Sequence, residues 1–469
     1  MMTATSEKDY VRAVTRRHFL GKSASGIGVT ALASLLQPEL FAQGNPLARA
    51  KRVIVLFMSG GPSHVDLFDH KPELSAWDGQ PVPDEIAKGV HFAQISRQSG
   101  KPKLKGSPYT FRKHGKSGTW VSDLLPHTAG VVDEMAVIRS MHSHVFNHDP
   151  AVTFLNTGHE RVGRPTMGAW ASYGLGSENE DLPSFVVLTS GVKLQPLLDS
   201  YWSSGFLPTQ HQGVEFRPSG DPVLHLRSPE NISSKRRRAE LDMLRWMNET
   251  HHRNFGDPEI LTRIKQYELA FRMQSSVPEL MDLSQESAET LALYGARLGE
   301  RSFANNCLMA RRLIERGTRF VQLYDMGWDS HGSLIKEHPR QCRGIDRPCA
   351  ALIQDLKRRG LLDETLVIWG GEFGRTPVVE GAGRLWGRDH HPHGFTMWMA
   401  GGGIRGGVSF GETDAFGFHA VKDKVAVNDL HATALHCMGI DHEALTYRFQ
   451  GRDFRLTDVA GRVVPELLV

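Results

Sequence analysis

The sequence predicts an α/β fold built around a mainly parallel β-sheet. Short apolar runs rich in β-branched and aromatic residues occur at 51–58, 320–324, 365–369 and 395–400. Runs of this kind are typical of strands that are covered on both faces, as in a parallel sheet. Clusters of His, Asp and Glu adjoin these runs, and parallel sheets place their functional side chains beyond the carboxyl ends of their strands. The fold class and the position of a site are therefore predicted together.

The order of the predicted elements supports parallel strand pairing. An amphipathic helix over 302–316 precedes the strand at 320–324, and a helix near 341–359 precedes the strand at 365–369. Parallel strands need a long crossover connection, which is usually a helix. The alternation therefore predicts a right-handed parallel arrangement.

A helical insertion is predicted at about 230–300. Ser233 stands where a helix cap is expected, and so does Asp257, with Pro258 in the first turn behind it. The basic run at 235–238 is interpreted as a solvated helix face, because acidic residues follow it directly.

Composition and charge exclude some kinds of partner and site. The 469 residues carry 55 basic and 52 acidic side chains, for a net charge of +3, so we expect no nucleic-acid partner. The four cysteines form no Cys-x-x-Cys pair, which argues against a thiolate zinc site. Whether Cys342 and Cys349 form a disulfide or stay free is left open by the sequence. The unusual feature of the composition is its 23 histidines. Their clustering is informative, because His is the commonest metal ligand.

Residues 1–42 resemble a twin-arginine signal peptide. An Arg-Arg pair at 16–17 is followed by Phe-Leu at 19–20, an apolar run over 24–36 and a small-residue cleavage site at 40–42. The apolar run is too short and too rich in glycine to be a good membrane span. We therefore expect export through the twin-arginine translocation machinery to a periplasmic or secreted location, with no stable membrane span after cleavage.

Ligands for divalent metal ions are predicted next to several of the strands. Carboxylate and imidazole groups occur close together there, and they are the donors that such ions need. The predicted metal ligands are His64, Asp66, Asp329, His331, Glu372 and His390. They predict one or two divalent ions and do not distinguish Zn, Mn, Mg and Ca.

Each of these stretches also has a simpler interpretation. Residues 371–394 are compatible with a polar surface loop that contains incidental histidines, and Asp66 is compatible with a helix cap. His148 belongs to a segment with three histidines, of which one or two are compatible with hydrogen bonds to backbone carbonyls. His431 is equally compatible with a ligand and with a core histidine of a terminal helix.

Several motifs follow one another along the chain, namely GGPSHVDLFDHKP, NHDPAVTFLNTG, WDSHG, GGEFGRTP, GRDHHPHGF, AGGG and DLHATALH followed by LTYRFQGRDFRLTDVAG. Taken in order, they resemble the motifs of an exported bacterial family known as domain of unknown function 1501, often called sulfatase-like. A more distant resemblance connects them to the alkaline-phosphatase-like superfamily of phosphatases, sulfatases and phosphomutases. It implies one alkaline-phosphatase-like α/β sandwich over 51–469, with one or two divalent metals at strand ends.

The resemblance also implies where the site departs from the superfamily pattern. Glu372 and Phe373 stand where sulfatases carry an Asp-His metal pair, and Asp329 with His331 resembles the other metal-binding Asp and His. His148 stands where those enzymes carry a Ser, Thr or modified Cys nucleophile. An imidazole there replaces the hydroxyl that forms a covalent intermediate, so retained hydrolysis would need direct attack by water and would invert the product.

Two functions follow from these residues. The first is an exported metal-dependent hydrolase of sulfate or phosphate esters, acting on a small molecule or a polysaccharide, with His148 as a proton shuttle and Arg375 or Arg388 as an anion clamp. The second is a non-catalytic descendant that uses the same cleft to bind a glycan or a protein partner. Fold resemblance alone does not choose between them.

Overall fold

The structure is a computed structural model that describes residues 49–87, 101–191, 197–217, 222–223, 226–229, 231–381 and 383–469. The predicted signal peptide at 1–42 lies outside the described residues. Its twin-arginine motif therefore stays a prediction from the sequence.

One large sheet forms the centre of the described part of the chain. Its nine strands are β1 (Arg52–Ser59), β2 (Met135–His142), β3 (Phe185–Gly191), β4 (Val214–Phe216), β5 (Phe320–Met326), β6 (Thr365–Gly370), β7 (Phe395–Ala400), β8 (Val408–Phe410) and β9 (Val425–Ala426). They lie in the order β8-β2-β7-β6-β1-β5-β3-β4, and β9 also pairs with β2. The strands predicted at 51–58, 320–324, 365–369 and 395–400 all lie in this sheet.

Strand direction confirms the predicted fold class, a mixed α/β arrangement around a mainly parallel sheet. β1 pairs in parallel with β5 and β6, and β3 pairs in parallel with β4 and β5. β7 is antiparallel to both of its neighbours, β6 and β2. Because β7 is reversed, the chain that leaves the carboxyl end of β6 enters β7 at the same edge. Residues 371–394 therefore stay at the edge where the carboxyl ends of the parallel strands meet.

Helices cover both faces of the sheet. They are α1 (His64–Leu67), α2 (Pro72–Ala76), α3 (Asp84–Ala87), α4 (His148–Thr157), α5 (Met167–Leu175), α6 (Ser234–Phe255), α7 (Pro258–Met281), α8 (Ala288–Tyr294), α9 (Phe303–Glu315), α10 (Leu334–Arg358) and α11 (Val427–Cys437).

Two apolar layers lie on opposite faces of the sheet, as the alternation along β1 shows. Ile54 and Leu56 pack into a core with residues of α9 and α10, whereas Val55 and Phe57 pack into a core with residues of α4, α5 and α11. Successive side chains of a strand point to opposite faces, so β1 is buried on both. This burial explains its unbroken apolar sequence.

The helices of the helical section begin at the two caps predicted from the sequence. The Ser233 side chain accepts a hydrogen bond from the backbone N–H of Arg236 at the start of α6, and Asp257 accepts one from Glu259 at the start of α7. These contacts satisfy N–H groups that have no partner inside the helix. Both predicted helix starts are confirmed, while the division of the chain into a domain and an insertion stays a prediction.

The last helix carries an acidic residue in its first turn. α11 starts at Val427, and Asp429 lies in its first turn, where its carboxylate accepts the backbone N–H of Ala426 at 3.0 Å. A hairpin follows this helix, with Tyr447–Phe449 paired in antiparallel direction to Arg452–Phe454.

The structure also answers the question about the cysteines. All four, Cys307, Cys342, Cys349 and Cys437, are buried free thiols. Across the described ranges no helix is both long and apolar enough to cross a membrane.

Truncation in the middle of the sheet should test this arrangement. Leu323 of β5 is fully buried, so we expect Leu323→Ala to lower the free energy of unfolding by about 2–5 kcal/mol through lost burial and a residual cavity. Leu385, which is 70% exposed, is the matched control, and Leu385→Ala should change the free energy by less than about 0.5 kcal/mol. Chemical denaturation measures both, and equal effects would contradict the central position of β5 in the sheet.

Candidate metal centre

Side chains from four parts of the chain meet beyond the carboxyl ends of the strands. Asp329 and His331 follow β5, Glu372 follows β6, His148 is the first residue of α4, and His390 lies in the loop before β7. The ligand atoms of His148, Asp329, His331 and His390 all lie within 4.8 Å of one another. The sequence predicted three of these four as ligands and His148 as a catalytic residue.

The carboxylate of Asp329 is the centre of this group. Its Oδ1 atom lies 3.2 Å from Nε2 of His148, 3.0 Å from Nε2 of His331 and 3.4 Å from Nε2 of His390. The Nε2 atoms of His331 and His390 are 2.8 Å apart. Three imidazoles thus direct the same ring nitrogen at one carboxylate oxygen.

The other ring nitrogen of each histidine is held by an acceptor. Nδ1 of His148 lies 2.7 Å from Oε1 of Glu372, and Nδ1 of His331 lies 2.7 Å from Oε2 of Glu380. Nδ1 of His390 lies 2.9 Å from the carbonyl oxygen of Phe146. An acceptor at Nδ1 favours the tautomer with its proton there and leaves a lone pair on Nε2, which is how metal-binding histidines are usually oriented.

The charges of the group are strongly coupled. Burial alone would raise the pKa of Asp329, but hydrogen bonds from the surrounding histidines and the charge of Arg375 hold this pKa well below its usual range. Burial would lower the pKa of His331, but hydrogen bonds with Asp329 and Glu380 raise this pKa to about 9. Burial, together with the nearby charge of Arg375, lowers the pKa of His390 to about 4. A cation bound to this group would therefore have to displace protons.

The residues present fit a transition-metal ion. Nε2 of His148 is buried and makes no hydrogen bond of good geometry, although it points at Asp329. Three imidazoles and one carboxylate are donors that suit Zn and other first-row metals better than Mg or Ca, which prefer oxygen. The four side chains are between 12% and 31% exposed, so solvent or a ligand can reach the group.

A glycine allows the turn after β1 to pass close to the backbone of Asp329. Gly60 has a φ of +116°, and a Cβ atom there would lie 2.4 Å from the backbone nitrogen of Asp329. Its N–H donates to Glu372 at 2.9 Å. Only glycine has the required backbone freedom without a clash, so the turn after β1 fixes both Asp329 and Glu372.

A second group of possible ligands shares His331. Ligand atoms of His331, Glu380 and Asp389 lie within 4.8 Å of one another, and both carboxylates are buried. Glu380 is not predicted as a ligand from the sequence, because it follows an apolar pair and has no other polar residue beside it. It is aligned by an isolated bridge between Glu380 and Gly387, a contact that no local pattern indicates.

Arg375 supports the centre from the protein interior. It is fully buried, and its guanidinium donates to the carbonyl oxygens of Gly60, Gly61 and Arg388 and to Oδ1 of Asp329 at 2.6 Å. The sequence predicted that it would clamp a substrate anion. The structure instead places its N–H groups on protein acceptors, where they hold Asp329 in position.

Arg388, Asp66 and Ser63 are not part of the group. Arg388 and Asp66 form a fully buried ion pair, with Nε 2.7 Å from Oδ2 and Nη2 3.2 Å from Oδ1. Asp66 also accepts the hydroxyl of Ser63 at 2.5 Å. The predicted ligand Asp66 and the predicted clamp Arg388 thus neutralise each other, and burial keeps both away from solvent.

The predicted ligand His64 and the candidate His431 lie outside the group around Asp329. Nε2 of His64 is 2.8 Å from the carbonyl oxygen of Gly417, and Nε2 of His431 is 2.7 Å from that of Leu155. Neither ring belongs to a described group of three or more metal-ligating side chains. The contact of His431 matches its interpretation as a core histidine.

The structure predicts that Asp66 stabilises the fold and does not bind the metal. Asp66→Ala leaves the buried guanidinium of Arg388 without its counter-ion, so we expect a loss of about 3–5 kcal/mol in the free energy of unfolding. The exposed pair of Lys422 and Glu412 is the control, and Glu412→Ala should cost less than about 1 kcal/mol. Metal content measured on folded protein should be the same in both variants, and a lost ion in Asp66→Ala would make Asp66 a ligand.

Several solved structures are similar to this chain at low identity. The PsFucS1 sulfatase from Pseudoalteromonas sp. is 11% identical, with 88% of this chain and 71% of that chain covered and a TM-score of 0.35. The lipoteichoic acid synthase LtaP from Listeria monocytogenes is 9% identical, with 84% and 73% covered and a TM-score of 0.35. The alkaline phosphatase from the Antarctic bacterium TAB5 is 9% identical, with 83% and 98% covered and a TM-score of 0.33. A variant of the TAB5 enzyme has Mg bound in its M3 site.

A family model matches almost all of the described chain. No curated protein sequence matches this chain. The family model spans residues 50–468, which include every side chain of the candidate centre. The chain therefore belongs to the family described as "Protein of unknown function (DUF1501)".

Proposed function

We propose that this protein is an exported metal-dependent hydrolase of sulfate or phosphate esters, acting on a small molecule or a polysaccharide. The observation that carries the proposal is the convergence of three imidazole Nε2 atoms on the Asp329 carboxylate, with the opposite nitrogen of each ring held by an acceptor. Oriented ligands that remain accessible are typical of catalytic metal sites, whereas structural sites are closed.

The chain's own residues divide into ligands and supports. His148, Asp329, His331 and His390 would hold the ion, while Glu372 and Glu380 keep two of the rings in the binding tautomer. When bound, the ion would supply Lewis-acid polarisation of the ester and stabilise developing negative charge.

His148 stands where the superfamily pattern has its hydroxyl nucleophile, and Ser63 of the GGPSHVDLFDHKP motif is fully buried and donates its hydroxyl to Asp66. We therefore propose that water attacks the ester directly, with inversion at phosphorus or sulfur. His148 serves as a ligand in this proposal, because both of its ring nitrogens face carboxylates.

A second candidate function is binding without catalysis. It is favoured by the same replacement at His148, and by Arg375 and Arg388, whose guanidinium groups are engaged inside the protein. The two functions differ in turnover and not in metal binding. Export through the twin-arginine machinery to a periplasmic or secreted location belongs to both proposals.

Removing ligands should remove metal and turnover together. We expect Asp329→Ala and His331→Ala to lose the stoichiometric ion, and Glu380→Gln to weaken metal binding about 10- to 100-fold because it releases the His331 ring. His144, whose side chain is 69% exposed, provides the control variant His144→Ala, which should behave like the wild type. Elemental analysis and a panel of sulfate and phosphate esters with several metals measure the outcome.

The results separate the two functions. Turnover that disappears with the ion supports the hydrolase, and a stoichiometric ion without turnover on the whole panel supports the binding function. Full metal content in Asp329→Ala would refute the centre itself.

Metal affinity should rise with pH up to about 9. The raised pKa of His331, about 9, means that this ring holds a proton at neutral pH, which the ion must displace. Zn(II) affinity should therefore fall about tenfold for each pH unit below about 9. If the ring had an ordinary pKa, it would be deprotonated above about pH 7, and Zn(II) affinity would no longer depend on pH there. Chelator competition across this range measures the slope, and a pH-independent affinity between about pH 7 and 9 would contradict the predicted proton displacement.

A further inference from the structure

A second pair of imidazoles lies outside the candidate metal centre. His64 begins α1, and His391 belongs to the two-residue ladder in which His390–His391 pairs with Gly374–Arg375. Both rings are buried, with His64 2% exposed and His391 fully buried. Each Nε2 atom faces a backbone carbonyl, that of Gly417 for His64 and that of Phe418 for His391. A carbonyl only accepts, so both Nε2 atoms carry the proton and both Nδ1 atoms carry a lone pair.

Neither of these Nδ1 lone pairs is used. The Nδ1 atoms of His64 and His391 are both buried without a hydrogen-bond partner among the described residues. A buried acceptor without a hydrogen bond has lost its contact with water and gained no replacement, so most buried polar atoms avoid this state. Two such atoms on neighbouring rings point to a ligand that accepts electron pairs from both.

Gly374 places the Nδ1 atom of His64 beside the His391 side chain. It pairs with His391 across the ladder, so side chains at these two positions would share one face. A Cβ atom on Gly374 would lie 2.6 Å from Nδ1 of His64. Nδ1 of His64 therefore lies beside the His391 side chain, in the space that a side chain at position 374 would fill.

The separation of the rings fits one ion between them. The ring centroids are 6.1 Å apart and the planes differ by only 13°. An ion about 2.0 Å from one nitrogen of each imidazole would hold the two ring centres about 6 Å apart.

We propose that His64 and His391 form a second metal site, which binds one Cu(I)-type ion through their two Nδ1 atoms. Two neutral ligands in a buried position favour a monovalent ion, because a divalent charge would need anionic ligands to offset its desolvation. The carboxylates that follow His64 in sequence are already paired, Asp66 with Arg388 and Asp69 with Lys71.

The ion at this site has a structural role. Both ligands are closed off from solvent, which is typical of structural metal sites. His391 is the neighbour of His390, so the ion fixes the loop that carries a ligand of the first centre. The proposal does not depend on the hydrolase function, because it requires neither turnover nor an ion at Asp329.

The test measures Cu(I) binding in full-length protein whose first centre has been disabled. In the double variant His148→Ala and His331→Ala, one Cu(I) per chain should bind in anaerobic titration against a competing chelator. Adding His64→Gln or His391→Gln should abolish this binding, whereas adding the exposed control His144→Gln should leave it unchanged. Adding Gly374→Ala should also abolish it, because the new Cβ enters the site while both ligands remain.

Each outcome decides the proposal. Unchanged Cu(I) stoichiometry in the His64→Gln and His391→Gln proteins would overturn it, and so would the absence of bound Cu(I) in the double variant. Circular dichroism identifies variants that fail to fold. In that case, copper X-ray absorption of the folded double variant decides, since scattering from two imidazole rings supports the site and coordination without imidazole overturns it.

Discussion

The candidate centre depends on the placement of one carboxylate, that of Asp329. Three imidazoles and one guanidinium surround its Oδ1 atom, so a displaced carboxylate would leave four donor groups without their common partner. The surrounding structure prevents this displacement. Arg375 is fully buried and donates from the interior side, and the turn at Gly60 fixes the backbone of Asp329 from below. Rigid support of this kind places ligands before an ion arrives, which is what a selective metal site requires.

The reversed strand β7 explains why so much chemistry comes from one loop. A parallel partner for β6 would have carried the chain to the opposite edge of the sheet. Because β7 runs antiparallel, residues 371–394 remain at the edge where β1 and β5 end. The loop can therefore supply His390 to the first centre, Arg388 to the buried ion pair and His391 to the second imidazole pair, all within four residues.

Buried charge has different consequences at the two arginines. The pair of Arg388 and Asp66 has no exposed atoms and serves the packing of the loop against α1, which makes it sensitive to loss of either partner. Arg375 faces a carboxylate that is partly exposed, so its charge also acts on the histidines and opposes their protonation. An arginine next to a predicted site is therefore not by itself a substrate-binding residue. Its exposure decides whether it can meet a ligand.

The sequence by itself determined the fold class, most of the strands of the site, the helix starts at Ser233 and Asp257, and the ligand types beside Asp329, His331 and His390. These features are local, because an apolar run or a cap depends on residues close in sequence. Only the tertiary structure decided that Asp66 pairs with Arg388, that Glu380 holds His331, and that His64 lies beside His391. Asp66 and Arg388 are 322 residues apart, so their contact depends on strand order and on the direction of β7. A sequence pattern reports how one residue is buried, whereas the partner it meets there is set by the packing of the whole sheet.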